Sequence, residues 1–297
     1  MSVAKSITYR GKLLVDEPMS KHTSWRVGGT ADIFYVPADL SDLQYYLASL
    51  APETVVNWVG LGSNMLVRDG GIRGVVIAPL NALRILQSGQ AGEIYAEVGV
   101  TSAKLAKFAN RQGLARAEFF AGIPGTIGGA LAMNAGAFGG ETWSFVDRLV
   151  MINRQGELIE RSASEFKVGY RRVSQFSGEW FAAAYFSFPA RAPEWDSDIR
   201  QLLQKRNDSQ PIGLPSCGSV FKNPVGQHAA QLIEAAGLKG YVLGNASVSD
   251  KHANFIISNE QTRAADIEAL IAHVQRVVED KFKLRLETEV RILGEVL

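Results

Sequence analysis

Cysteine occurs once in the 297 residues, at Cys217. A single thiol excludes an internal disulfide framework and a cysteine-rich zinc site, and it fits a reducing compartment. Charge of neither sign is in excess: Lys plus Arg number 31 and Asp plus Glu 30, for a net charge of +1. The broad basic field typical of a nucleic-acid or membrane-surface protein is therefore missing. No apolar run approaches the ~18 residues that a membrane span requires. The opening segment, MSVAKSITYRGKLLVDEP, has early charges but no apolar core of a signal peptide. A cytoplasmic protein is expected, with no membrane insertion, and a monomer, because no interface patch is legible. The four histidines (His22, His228, His252 and His273) are widely spaced, and no HExxH, P-loop lysine or GxSxG segment occurs. No metal site is expected.

The length suggests roughly two ordinary domains and is ample for a sizeable core. Short apolar runs at 55–59, 74–77 and 94–98 read as buried strands. Thr101 or Ser102 is placed to cap a helix that stops at Gly113. Residues 146–153 and 157–161, joined by Arg154-Gln155-Gly156, read as a hairpin. The second half is more helical, with candidates at 196–205, 228–236 and 263–281. The first of these is expected to end in the polar run 206–210, the second to close at Gly237, and the third to start from a Thr262 cap. Residues 286–293 alternate as a strand would, which puts Glu287, Glu289 and Arg291 on one face. Boundaries are expected in the Pro/Arg-rich stretch 189–193 and the loop 211–215. The class is mixed α and β, without the strict alternation of a barrel or doubly wound sheet.

Glycine is the one abundant residue of note, with 29 against a typical share of about 7%. Gly60-Leu61-Gly62-Ser63-Asn64 follows a strand, as a dinucleotide-binding turn would, but the third glycine and the opening helix of the Rossmann fingerprint are missing. Two readings stay open there: a plain turn, or a loop whose consecutive N–H groups hold an anion. Between Gly122 and Gly140, seven of nineteen residues are glycine and many of the others are Ala or Ile, unlike a solvated linker. Each ordered glycine costs about 0.5–1 kcal/mol of extra entropy, so such a cluster needs a reason. A ligand lying against the backbone supplies one; a tightly turned core loop is the alternative.

Three short segments carry the remaining chemistry: GYRR at 169–172, SCGSVFKNP at 216–224 and LETEVR at 286–291. On residue type alone, arginines on a loop and a glutamate row are ordinary surface features, and Cys217 is a small packed residue with no adjacent histidine to activate it.

Taken together, the segments HTSWRVGGTADIF, VGLGSNMLV, AGIPGTIGGALAMNAGAFGG, GYRR, CGSVFKNP, AAGLKG, KHANFI and LETEVRILGE occur in the order seen in one family. From about residue 20 to the end, the chain resembles the bacterial UDP-N-acetylenolpyruvoylglucosamine reductase (UDP-N-acetylmuramate dehydrogenase) family. The resemblance implies an α+β fold, with an FAD-binding part of the vanillyl-alcohol-oxidase type and a C-terminal α+β substrate-binding domain. Expected divisions are 1–80 and 81–190 for two FAD-binding subdomains and 205–297 for the substrate domain. It further implies non-covalent FAD, NADPH as hydride donor and UDP-N-acetylglucosamine enolpyruvate as substrate, in peptidoglycan precursor synthesis.

By position in those motifs, Ser219 matches the family's proton donor, Arg171 its catalytic arginine and Glu289 its catalytic glutamate. Gly60, Gly62, Ser63 and Asn64, with Gly122, Pro124, Gly125, Thr126, Gly128, Gly129, Asn134 and Gly136, are implied to line the FAD. Tyr170, Lys222, Asn223, Gln231, Lys239 and His252 are implied substrate contacts. The short stretch between Arg171 and Ser219 lacks the insert that carries a substrate-closing tyrosine in the longer class, so the chain resembles the shorter one.

Overall fold

Runs of β-branched and aromatic residues with polar neighbours build two sheets in the first half of the chain. The computed structural model describes residues 9–90, 92–174, 176–192 and 198–297. Lys12–Pro18 (β1) pairs antiparallel with Thr30–Val36 (β2). Ile72–Ile77 (β5) lies between β2 and Val56–Trp58 (β3) and is parallel to both. The crossover from β2 to β3 is Leu40–Ser49 (α1), capped by Asp39, whose carboxylate accepts the Asp42 N–H at 2.9 Å. Leu43, Tyr46 and Leu47 on α1 are buried in the same core as Tyr35, Val75 and Ile77 of the sheet.

The second sheet is antiparallel throughout. Its order is Leu158–Ser162 (β11), Val146–Asn153 (β10), Glu179–Ser187 (β14), Glu93–Glu97 (β7) and Leu86–Ser88 (β6). The expected hairpin at 146–161 is therefore present, as is the expected helix, Ser102–Arg111 (α2), with Thr101 as its cap. A second short helix, Ile127–Met133 (α3), occupies the middle of the glycine-rich segment. The core is continuous across the expected 80/81 division, because Tyr35 and Ile77 share one cluster with Ile94, Leu105 and Phe186.

In the second half the helix expected at 196–205 runs from Ile199 to Ser209 (α4), capped by Asp198. Residues 196 and 197 lie outside the described residues, as does Pro193 of the expected boundary stretch. The polar residues Arg206 to Ser209 are helical; the helix stops at Gln210, which precedes Pro211 and is in extended conformation, as a pre-proline residue favours. The division expected at 205 thus falls inside α4, whose Ile199 and Leu203 pack on the core of the first half.

Ala229–Ala235 (α5) ends before Gly237, which sits at φ +80°. Val242–Leu243 (β15), Ala246–Val248 (β16) and Ile256–Ile257 (β17) form a small antiparallel sheet. Ala264–Phe282 (α6) buries Ile267, Leu270, Ile271, Val274 and Val278 in the same core as Ala246 and Val248, each worth about 1.5–3 kcal/mol.

Two expectations about this half need correction. Thr262 does not cap α6: its hydroxyl goes to the Asn245 carbonyl at 2.6 Å. The free N–H groups of Ala264 and Ala265 instead donate to the two carboxylate oxygens of Asp69, both at 3.0 Å, from the first half of the chain. Nor is 286–293 one strand. Only Arg291–Leu293 (β18) is regular, pairing parallel with Met65–Val67 (β4). Upstream, Glu289 and Val290 both donate to the Val220 carbonyl, at 2.8 and 3.4 Å, which interrupts the strand, although Leu286 and Val290 stay buried and Glu287 and Arg291 exposed. Glu287 is left 72% exposed on its side chain, Glu289 only 14%.

The two halves are thus joined by β4–β18, by the Asp69 cap, and by Arg68, which forks onto Glu268 at 2.8 and 3.0 Å. Trp25 is fully buried in the C-terminal core, with its indole N–H on the Ile256 carbonyl at 2.8 Å. Asp69→Ala is expected to destabilise the fold by about 1 kcal/mol through loss of this cap, measured by urea unfolding. An unchanged unfolding midpoint would show that the α6 terminus is satisfied without Asp69.

Candidate active site

The turn Tyr170-Arg171 joins Val168–Gly169 (β12) to Arg172–Val173 (β13), with Arg171 in the left-handed region at φ +52°. Beside it, Gly136–Ala137 (β8) and Gly140–Glu141 (β9) form a second small hairpin. The Arg171 guanidinium is held on three sides. Nε donates to Glu289 Oε1 at 3.2 Å, one terminal nitrogen to the Asn134 carbonyl at 3.1 Å, and the other to the Gly136 carbonyl at 3.1 Å. Its side chain is 16% exposed, and the half-exposed Tyr170 ring lies 5.0 Å away. Burial pushes the Glu289 carboxyl above its usual range, while Arg171 and Lys222 pull the other way.

Glu289 is tied directly to the serine loop, since its N–H donates to the carbonyl of Val220, the residue after Ser219. That loop is anchored underneath by Cys217, whose thiol donates to the Met65 carbonyl at 3.2 Å. Burial pushes this thiol up to about 12, so Cys217 is a packing residue, as its lack of a partner suggested. Gly218 follows at φ +70°, a conformation that suits glycine, and turns the chain so that Ser219 is half-buried. Among the described residues, no hydrogen bond engages the Ser219 hydroxyl.

Ser219 lines a cleft of about 360 Å³ with Asn223, His228, Gln231, His252 and Asn254. Three of the implied substrate contacts (Asn223, Gln231 and His252) therefore share a space with Ser219, and Tyr170 stands by Arg171. Lys222 pairs with Glu287, and Lys239 pairs with Glu234 at 3.0 Å. The His252 Nδ1 accepts the Asn254 N–H at 3.3 Å, which puts its proton on Nε2. Burial, with Lys239 nearby, holds this imidazole below its usual range. Asn254, within KHANFI, carries no sequence signal of its own. It is buried and clasps Phe221 through both main-chain groups, at 2.9 and 2.8 Å, which steadies the serine loop.

The glycine clusters divide by what a side chain would meet. At Gly60, Gly62 and Gly136 a Cβ would strike protein atoms within 2.5 Å, so packing against Thr126, His22 and Gly140 already demands glycine there, while at Gly122 it would meet the exposed Phe138 ring. At Gly128 it would touch Val98 at 3.0 Å and at Gly125 the Ser63 hydroxyl at 3.3 Å. At Gly129 nothing lies within 4 Å, and the residue is exposed. Ser63 donates its hydroxyl proton to the Pro124 carbonyl, latching the two glycine loops together. Within the described residues no hydrogen bond takes up the N–H groups of Gly62, Ser63, Asn64, Gly125 or Thr126. Such a set of unpaired backbone donors on two latched loops suits the diphosphate of a dinucleotide cofactor.

Two residues implied to contact FAD have their side chains engaged within the protein. The Asn64 amide donates to the Glu289 carbonyl at 3.1 Å and faces the Met133 sulfur. Asn134 is 2% exposed, and its amide is bonded to Glu141, Gly169 and Trp143. Among the described residues, no group of His, Cys, Asp and Glu could hold a metal, and no helix is long and apolar enough to cross a membrane.

Comparisons with known proteins agree with both halves. Residues 31–162 match a family model described as an FAD binding domain. The protein is thus an FAD-dependent oxidoreductase with an α+β fold. Residues 210–293 match the UDP-N-acetylenolpyruvoylglucosamine reductase C-terminal domain. The UDP-N-acetylenolpyruvoylglucosamine reductase of Methylococcus capsulatus is 53% identical over 287 residues, covering 96% of this chain and 94% of that protein. The Coxiella burnetii protein of the same name is 52% identical over 305 residues, covering 96% of each. The crystal structure of the Thermus caldophilus enzyme superposes with a TM-score of 0.79 at 29% identity, covering 95% of this chain and 98% of that one. The chain belongs to the UDP-N-acetylenolpyruvoylglucosamine reductase family.

The open face of Gly129 yields a prediction with opposite signs. Gly129→Ala is expected to stabilise the cofactor-free protein by up to about 1 kcal/mol, because alanine is the better helix former. The same change is expected to weaken FAD retention, read by flavin absorbance after gel filtration. Unaltered FAD retention would remove Gly129 from the cofactor wall.

Proposed function

We propose that this chain reduces the enolpyruvoyl double bond of UDP-N-acetylglucosamine enolpyruvate, with NADPH as reductant, to give UDP-N-acetylmuramate for peptidoglycan synthesis. The observation that carries the reading is that Glu289, whose carboxylate pairs with Arg171, also holds the loop of Ser219 through its N–H on the Val220 carbonyl. FAD, when bound, supplies the two-electron chemistry that links NADPH to the substrate double bond. The N–H groups of Gly62, Ser63, Asn64, Gly125 and Thr126 would hold its diphosphate. In this reading residues 1–80 and 81–190 form the two parts of the cofactor half and 205–297 the substrate part. The free thiol and the use of NADPH favour the cytoplasm, and a site drawn from one chain favours a working monomer.

Reduction of the double bond builds negative charge on the carbon next to the substrate carboxylate and spreads it into the carboxylate oxygens. The Arg171 guanidinium, already fixed by two carbonyls and Glu289, stabilises that charge without having to reorganise, an effect commonly worth about 3–4 kcal/mol. Glu289, raised by burial, donates a hydrogen bond to the same oxygens in its protonated form. Ser219 delivers the proton to carbon, because its hydroxyl has no competing partner and a carbanion-like centre is a strong base. Asn223, Gln231 and His252, which line the cleft with Ser219, receive the polar sugar-nucleotide part.

Anaerobic single-turnover kinetics test the assignment. In Ser219→Ala, NADPH is expected to bleach the flavin at the wild-type rate while the enolpyruvoyl substrate reoxidises it far more slowly. Arg171→Ala is expected to slow reoxidation by about 100- to 1000-fold. Equal slowing of both half-reactions would make these residues structural.

The ionisation of Glu289 gives a separate expectation. The active form carries a proton that is lost as pH rises through the raised pKa, so reoxidation is expected to fall on the alkaline side. Glu289→Gln, neutral at every pH, is expected to flatten that limb; an unchanged limb would assign it to another group.

A further inference from the structure

We infer that Asn134 is a positioning residue for Arg171: it holds the arginine from both sides, through its own carbonyl and through the turn on which the arginine is carried. The inference deepens the proposed function and rests on the catalytic reading of Arg171.

Arg171 sits in the left-handed region at φ +52°, where an arginine has no intrinsic reason to be. The pairing of β12 with β13 closes the turn, and the contacts that reach the arginine from outside it converge on Asn134. The Asn134 carbonyl accepts a hydrogen bond from the Arg171 guanidinium at 3.1 Å. The Asn134 side-chain amide donates to the Gly169 carbonyl at 3.2 Å, two residues before the arginine. One residue thus grips the main chain entering the turn and the tip of the side chain leaving it. The remaining capacity of the amide locks Asn134 itself, since its second N–H goes to Glu141 Oε2 at 3.0 Å and its oxygen accepts the Trp143 N–H at 3.1 Å.

Asn134 also closes α3 with φ +46° and ψ +55°, a left-handed cap that asparagine tolerates better than other residues with a side chain. That geometry turns its carbonyl out of the helix and toward the guanidinium. With 2% exposure and both amide hydrogens engaged within the protein, the side chain has no donor left for a ligand. Its pattern is that of a bracket, linking α3, β9 and the β12–β13 turn at the point from which Arg171 reaches Glu289.

Asn134→Gly removes the three side-chain bonds while keeping the left-handed backbone. Asn134→Asp keeps the shape but turns a carboxylate toward Glu141 and the Gly169 carbonyl. Both are compared with the FAD-loaded wild type under anaerobic conditions, alone and combined with Arg171→Ala. Flavin absorbance and reduction by NADPH are expected to stay close to wild type, and reoxidation by the enolpyruvoyl sugar nucleotide to slow by about 100-fold. In the Arg171→Ala background the second change is expected to cost nothing further, since a residue that acts only through Arg171 has nothing left to position.

Losses that add fully to those of Arg171→Ala, slowed reduction by NADPH, or wild-type reoxidation in Asn134→Gly would each overturn the inference and leave the function intact. Failure of both variants to retain FAD would overturn it too, in favour of a structural or cofactor role. If Arg171→Ala alone reoxidises at the wild-type rate, the catalytic reading of Arg171 fails, and the positioning role falls with it.

Discussion

Glu289 reaches Arg171 and the serine loop because residues 291–293 return across the whole chain to pair in parallel with 65–67. The bond from the Arg291 N–H to the Asn64 carbonyl begins that pairing, and the Asn64 amide holds the Glu289 carbonyl from the same side. One step back along the chain, the Glu289 N–H meets Val220 and fixes the serine loop. A short parallel ladder therefore places the end of the C-terminal domain, the first glycine loop and Ser219 in one frame. Asp69 on the α6 terminus and Arg68 on Glu268 brace the same junction from outside. These are directional hydrogen bonds and ion pairs, which set register more sharply than apolar contact does.

The site sits in a chain with almost no net charge, so anionic ligands have to be met by local donors. Two kinds are present. Unpaired backbone N–H groups in the glycine loops provide partial positive charge without a side chain, and Arg171 provides a full one where burial strengthens it. The guanidinium is never left bare: carbonyls and Glu289 accept its protons, which keeps the cost of burying it in check. The same burial raises the Glu289 pKa, while Arg171 and Lys222 pull it the other way.

Much of the frame was legible in the chain itself. The hairpin at 146–161, the Thr101 cap and the buried stripe of α6 follow from spacing and propensity, which act over a few residues. The glycine excess pointed to a close-packed wall, and resemblance to a family picked out Arg171, Glu289 and Ser219. What spacing did not show was the division of labour within the glycines. Gly60, Gly62 and Gly136 are required by other parts of the protein, and Gly129 alone in the second cluster's helix faces open space. The interruption at 289–290 was not legible either, because alternation alone assumes a regular strand, and both N–H groups there turn onto Val220.

By itself, then, the sequence determined the α+β class, the local elements and the residue types available for chemistry, all of which depend on neighbours in the chain. Tertiary structure decided which of them act together. Arg171 and Glu289 are 118 residues apart in sequence and 3.2 Å apart in space. Trp25 bonds Ile256, 231 residues further along the chain, and a helix at 264 is capped by an aspartate at 69. Such pairings depend on where β18 docks and how the loops turn. These are properties of the packed molecule, and no short window of residues contains them.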